Sequence, residues 1–175
     1  MPVKETLALI DQILDEHNRI HRDLHSLERV SSDMDALVEL ESDKTKSYFV
    51  VRTPDGREQG LQQWQHALEA IDEGLRAHFQ REETLLSEAF QKHGNRELVL
   101  ALDTLLHEHD ELRERVAKLR KDAADLVSGG LRVEVWKANG WGMRVNIDRI
   151  RALIESHASS EQRLLNTLRS ELQKA

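Results

Sequence analysis

Residues 75–86 read LRAHFQREETLL, and they lie within a long pattern that is typical of a helix in a bundle. Apolar residues recur around them every three or four positions, which predicts one buried helix face. These residues are Trp64, Leu68, Ile71, Leu75, Leu85 and Ala89. His78 and Glu82 fall on the same face, one turn and about 6 Å apart along the helix axis. An imidazole and a carboxylate buried without partners would cost free energy, so this position requires a partner such as a metal ion.

Three further stripes of the same period predict an all-α protein, an up-down-up-down four-helix bundle. Asn95 is a suitable N-cap for helix 3, and the pair His93-Gly94 is a signal that ends helix 2. The predicted helices run from about Val3 to between Val30 and Leu40, over 61–91, from Asn95 to Ser128, and over 143–173.

Two insertions between the predicted helices have a different composition. The stretch SYFVVRTPDGREQG, within residues 42–60, places β-forming residues before a turn, and LRVEVWKANGWG, within residues 129–142, alternates apolar residues between glycines. Both patterns predict short β-like segments between helices 1 and 2 and helices 3 and 4. In an up-down-up-down bundle these connections lie at the same end, where they could meet as a small cap.

Composition narrows the class of protein. The 175 residues are enough for one core, so we expect a single domain over residues 1–175. The net charge of −7 argues against a nucleic-acid partner. The chain contains no Cys and hence no thiolate ligand. Without a long apolar span or a recognisable leader, we expect no membrane association and a cytoplasmic protein.

The interruption at His78 and Glu82 recurs in the other helices. A histidine interrupts the stripe in helices 1 and 3, and a His-x3-Glu pair interrupts it in helices 2 and 4. The candidate metal ligands are His17, His78, Glu82, His109, His157 and Glu161. One histidine on an apolar stripe is usually a core residue, and one His-x3-Glu pair is often a surface contact. Interruption of all four stripes near mid-helix favours a shared metal centre.

The types of candidate ligand narrow the choice of metal ion. Imidazole and carboxylate without thiolate suit iron, manganese or zinc better than copper(I). Four histidines and two glutamates that can bridge are most like a site for two iron ions, with an oxo or hydroxo bridge; manganese or zinc can substitute. The positive charge of two such ions is largely balanced by two glutamates and a bridging hydroxide, which makes their burial tolerable.

The motifs resemble the hemerythrin-like, or HHE cation-binding, family. They are DEHNRIHRDL around His17, LRAHFQREETLL around His78, LLHEHDELRERV around His109 and LIESHASSEQRLL around His157. The resemblance implies a non-haem di-iron centre in a four-helix bundle that binds O₂, nitric oxide or peroxide.

The sequence departs from the family pattern on helix 3, where hemerythrin proper has a fifth histidine ligand. Leu105 stands at that position here, and His107 points about 200° away from His109, which predicts a surface residue. The fifth nitrogen is either absent, leaving an additional open site, or supplied by His21 of helix 1.

These features lead to competing expectations of function. The first is a di-iron protein that binds O₂ or a related small molecule for storage or sensing. The second is a di-iron oxidoreductase or iron-handling protein acting in oxidative or nitrosative stress, so the sequence does not decide whether the chain is an enzyme. The third is a structural helical bundle, for which a homodimer is one possibility.

Overall fold

The computed structural model describes the backbone of residues 1–42, 55–128 and 132–174, and the side chains of 1–27, 65–128, 132 and 134–174. The described residues form six α-helices and one π-helical segment. These elements are α1 (Val3–Ser42), α2 (Asp55–Arg81), the π segment (Glu82–Leu86), α3 (Ser87–His93), α4 (Arg96–Leu106), α5 (Glu108–Val127) and α6 (Val133–Lys174). They make four arms: α1, then α2 continued through the π segment into α3, then α4 with α5, then α6.

The arms pack as a ring in chain order, since α1 contacts α2 and α6, and α5 contacts α2 and α6. The core consists of two apolar clusters at different heights in the bundle. The first apolar cluster includes Ile20, Leu24, Leu75, Phe79, Leu112, Val116, Ile150 and Ile154. The second apolar cluster includes Ile10, Ile13, Leu86, Phe90, Leu98, Leu102, Leu164 and Leu168.

The order of the clusters along each arm gives its direction. α1 passes from the second cluster at Ile13 to the first at Ile20, whereas α6 passes from the first at Ile154 to the second at Leu164. The arm of α2 runs like α6, and the arm of α4 and α5 runs like α1. The all-α up-down-up-down prediction is therefore confirmed.

The boundary between the second and third arms follows local sequence signals, as expected. The side chain of Asn95 accepts a hydrogen bond of 3.0 Å from the backbone N–H of Leu98, which caps α4. Gly94 lies between the arms, where a Cβ would come within 2.7 Å of the Phe90 carbonyl oxygen. Glycine is required here because the chain turns too tightly for any side chain.

The predicted β-like segments are wrong from Asp55 in the first insertion and from Val133 in the second, where the structure has helix. From Val133 onward the second insertion is part of α6, and residues 129–131 lie outside the described part of the chain. Trp136 packs against the first apolar cluster, and Met143 and Ile147 continue the same face at helical spacing. This packing outweighs the local β propensity of the sequence.

The first insertion is likewise helical from Asp55, so helix 2 begins before the predicted Leu61. Residues 43–54 lie outside the described part of the chain, and so does much of the predicted cap. No β-strand occurs in residues 1–42, 55–128 and 132–174. None of the helices within these ranges has the length and apolar character needed to cross a lipid bilayer.

The π segment changes which leucine faces the core. A π turn contains an extra residue, which rotates the following side chains relative to an α-helix. Leu86 is fully buried, whereas Leu85, which the sequence placed on the inner face, is 43% exposed. The prediction for Leu85 is therefore wrong, because the wider turn of the π segment carries Leu85 further from the direction of Glu82 than an α-helix would.

Candidate metal centre

Six polar residues lie between the two apolar clusters, and we call them the polar layer. They are His17, His78, Glu82, His109, His157 and Glu161. All except His17 are buried, and the side chain of His17 is 11% exposed. The structure thus brings together the six residues that interrupt the predicted stripes, each arm contributing at least one.

The polar layer contains two overlapping groups of possible ligand atoms. His17, His78, Glu82 and Glu161 form one group, and the ligand atoms within it lie within 4.8 Å of one another. Glu82, with His109 and His157, forms the other group under the same limit. Glu82 belongs to both groups and is therefore in the position of a bridging ligand.

Short contacts between nitrogen and oxygen surround the two carboxylates. Glu82 Oε1 lies 2.6 Å from His78 Nε2, and Glu82 Oε2 lies 2.9 Å from His109 Nε2. Glu161 Oε2 lies 2.8 Å from His17 Nε2. The histidine nitrogens also face each other in pairs, at 3.1 Å for His17 and His78 and 3.3 Å for His109 and His157.

These contacts do not satisfy the carboxylates as hydrogen bonds. All four carboxylate oxygens of Glu82 and Glu161 are buried without a partner of acceptable hydrogen-bond geometry. A buried polar atom left unsatisfied costs about 1–3 kcal/mol, and more if it is charged. Unsatisfied oxygens and converging imidazole nitrogens are what two shared cations would require, so the residues present fit a dinuclear metal centre.

Three outer carboxylates contact three of the four polar-layer histidines on the side of the ring that faces away from the centre. Each contacts an Nδ1 atom and thereby leaves Nε2 directed at the centre, which is the usual support of a metal-binding histidine. The pairs are Glu16 with His78 at 3.1 Å, Glu83 with His109 at 2.9 Å, and Glu108 with His157 at 2.9 Å.

Sequence reasoning missed these outer carboxylates, although a signal exists. Each of Glu16, Glu83 and Glu108 is the immediate chain neighbour of a polar-layer residue, and each supports a histidine of the next arm. Among the described residues, no carboxylate contacts Nδ1 of His17. The centre is therefore asymmetric, and its least supported histidine is also its most exposed one.

Phe79 is a second element of the site that sequence reasoning missed. It is buried, and its ring stacks on that of His109 with centroids 4.0 Å apart and planes inclined by 17°. Arg113 lies over the Phe79 ring at 5.3 Å and donates a 2.6 Å hydrogen bond to Glu83. These contacts fix the His109 ring from its face and from Nδ1.

The pKa values of the two buried carboxyls shift in opposite directions. The pKa of Glu161 is raised by burial, and the negative charge of Glu82 raises it further against the contact with His17. Burial also favours the neutral form of Glu82, but its contacts with His109, His157 and His78 outweigh this effect and lower the pKa well below its usual range. Two adjacent carboxyls in one buried site thus do not ionise equally.

The pKa values of the supporting pair Glu16 and His78 shift in the directions expected for an ion pair. Burial of Glu16 opposes ionisation, but hydrogen bonds from His78, Gln12 and Arg81 outweigh it and lower the pKa of Glu16 to about 2. Burial likewise opposes protonation of His78, but Glu16 and Glu82 raise its pKa to about 9. A metal ion would compete with a proton at His78.

The remaining predicted positions lie outside the polar layer. His107 is exposed, as expected, and its Nδ1 lies 2.6 Å from the Asp103 carbonyl oxygen at the junction of α4 and α5. Leu105 is partly buried against the second apolar cluster. His21, the alternative fifth ligand, is 52% exposed, and the structure does not bring it to the six.

Taken together, the fold and the site define a class of protein, a four-helix bundle whose centre can bind cations through histidine and glutamate. Among known protein families, the hemerythrin HHE cation binding domain matches residues 8–168. Because this match covers most of the chain, the protein belongs to the hemerythrin HHE family. Searches of the curated proteins and of the solved structures found no match.

Proposed function

We propose that this chain is a non-haem di-iron protein that binds O₂ or a related small molecule, nitric oxide or peroxide, for storage or sensing. The observation that carries the proposal is the set of four buried, unsatisfied carboxylate oxygens facing four imidazole nitrogens. Membership of a cation-binding family supports the proposal that the site binds metal ions. Iron is favoured for two reasons: the chain has no thiolate ligand, and a carboxylate is shared by the two groups.

The two groups suggest unequal roles for the two ions. His17, His78 and Glu161 would hold one ion, His109 and His157 would hold the other, and Glu82 would bridge them. The second set amounts to two histidines and one carboxylate, a set that leaves positions open on iron(II). We therefore propose that the small molecule would bind at the ion held by His109 and His157.

The chain's own residues would control access and orientation. Two ferrous ions, when bound, supply the electrons for reversible O₂ binding. Glu83 and Glu108 hold His109 and His157 with Nε2 directed inward. The apolar clusters on both sides of the polar layer exclude water, which would slow irreversible oxidation of the centre.

Anaerobic reconstitution with ferrous iron, followed by O₂ titration, tests this proposal. We expect about two irons per chain and a visible absorption change that reverses when O₂ is removed. Glu82→Ala should lose iron and the spectral change together, whereas Glu73→Ala, an exposed glutamate of α2, should keep both. A wild-type chain that binds no iron would reject the proposal and favour the structural bundle.

One observation favours a second candidate, a di-iron oxidoreductase or iron-handling protein. His17 is the least buried member of the polar layer and lacks an outer carboxylate among the described residues, so the ion beside it would exchange more easily. Irreversible bleaching by O₂, turnover of added peroxide or release of iron to a chelator would support this candidate over reversible binding.

A further inference from the structure

A second cluster of potential ligands lies outside the polar layer. His21 and His25 are one turn apart on α1, and Glu155 reaches them from α6. The Nε2 atoms of the two histidines are 3.1 Å apart, and His21 Nδ1 lies 3.4 Å from Glu155 Oε1. His21 is 52% exposed and Glu155 40% exposed, so the cluster opens to solvent.

The geometry of this cluster allows a metal site as well as a hydrogen-bonded group. Each of the three residues can offer one ligand atom, and these atoms lie within 4.8 Å of one another. Ligand atoms bound at about 2.1 Å in a tetrahedral site lie about 3.4 Å apart. His21 gives one nitrogen to a given ion, so the distances of 3.1 Å and 3.4 Å, which involve its two different nitrogens, are not both ligand–ligand distances. Two neutral imidazoles whose Nε2 atoms face each other can form one hydrogen bond at most, and only with opposite tautomers.

We propose that His21, His25 and Glu155 form a second, surface cation site for one divalent transition-metal ion. Two imidazoles and a carboxylate suit Zn²⁺, Ni²⁺ or Cu²⁺, with water at the remaining positions. The ion would link α1 to α6. The competing explanation is a hydrogen-bonded chain from Glu155 through His21 to His25, which would bind no metal.

The surface site is separate from the polar layer although it is near it. His21 follows His17 by one helical turn on α1, and Glu155 precedes His157 by two residues on α6. Neither His21, His25 nor Glu155 belongs to the two groups of the centre. The surface site therefore does not depend on the proposed di-iron function, and its test can be read separately.

Calorimetric titration of the purified protein with Zn²⁺, with bound iron measured before and after, tests the proposal. We expect one Zn²⁺ to bind without releasing iron. His25→Ala and His21→Ala should weaken this binding by at least about tenfold, since even supporting residues of a metal site are worth that much. His66→Ala is the matched control, because His66 is an exposed histidine with one glutamate, Glu69, at 3.4 Å.

Several results would overturn the proposal. They are the absence of a Zn²⁺ ion beyond the central metal, and equal affinity in wild type, His21→Ala and His25→Ala. Loss of iron from His21→Ala would assign His21 to the metal centre of the polar layer, and it would also overturn the surface-site proposal. Circular dichroism of each variant separates loss of a ligand from loss of the fold.

Discussion

At the scale of single residues, the outer carboxylates explain how the centre keeps its geometry. A histidine ring can rotate unless its second nitrogen is held, and Glu16, Glu83 and Glu108 hold three of the four rings. Each acid lies one peptide bond from a polar-layer residue of its own arm. The orientation of one ligand therefore depends on the correct packing of the neighbouring arm.

Glu108→Ala should weaken metal binding about 10–100-fold, because Nδ1 of His157 loses its acceptor. Competition with a chromophoric chelator measures the affinity. Glu114→Ala, an exposed glutamate on the same helix, is the control and should bind as wild type does. Equal affinities of the two variants would show that Glu108 does not position His157.

Glu16 should make the metal-free protein sensitive to acid. Its folded-state pKa of about 2 lies below the ordinary glutamate value of 4.5, so its stabilising effect is complete above pH 4.5 and is lost as the pH falls towards 2. Glu16→Gln should therefore flatten the fall of the unfolding free energy over this range. Urea unfolding at pH 5 and pH 3 measures it.

Asp15→Asn provides the comparison for this experiment, because Asp15 is an exposed acid next to Glu16. It should leave the slope of unfolding free energy against pH as it is in wild type. A steep slope retained in Glu16→Gln would mean that other carboxyls account for the acid sensitivity.

At the scale of elements, the π segment sets the register of the second arm. It begins at Glu82, the residue shared by the two ligand groups, and π turns of this kind are frequent at functional sites. The extra residue places Glu82 inward and Glu83 against His109, while Leu86 still reaches the second apolar cluster.

Two neighbouring substitutions test this register directly. Leu86→Ala should destabilise the protein by about 2–5 kcal/mol, as expected for a fully buried leucine. Leu85→Ala should change stability by no more than about 0.5 kcal/mol, because Leu85 is a surface residue that is 43% exposed. Denaturant unfolding measures both, and the reverse order would contradict the register described here.

At the scale of the whole molecule, much of the architecture was predictable. The four arms and their alternating direction follow from apolar stripes, whose period is local, and from Asn95 and Gly94 at one boundary. The convergence of the polar layer was predictable because each of its residues interrupts a stripe, although its role as a ligand set stays a proposal.

The features that could not be predicted depend on packing between arms. The π register and the stacking of Phe79 on His109 are set by neighbouring helices. The same holds for residues 133–142, whose β-forming composition competes with the helical spacing of Trp136 and Met143. Local propensity is a weak guide where tertiary contacts decide between two conformations.

Removing metal from the proposed centre should loosen the middle of the bundle before either apolar cluster. The polar layer would then contain unsatisfied carboxylate oxygens, whereas both clusters stay apolar and closely packed. Hydrogen exchange with and without a chelator should show the largest gain in rate near His17, His78 and His157. Uniform protection in both states would contradict this expectation.

Among the described residues, no outer carboxylate contacts His17, and this affects how ions and small gases would reach the centre. Outer carboxylates fasten α1 to α2, the π segment to α5 and α5 to α6, whereas among the described residues the joint between α6 and α1 has none. α1 and α6 are instead linked on either side of His17, by Arg169 with Asp11 and by His21 with Glu155. We expect ions and diatomic gases to enter beside His17, at the seam between α1 and α6 that lies between those two contacts. A disulfide engineered across the seam should then slow iron entry in stopped-flow mixing, and its reduction should restore the original rate.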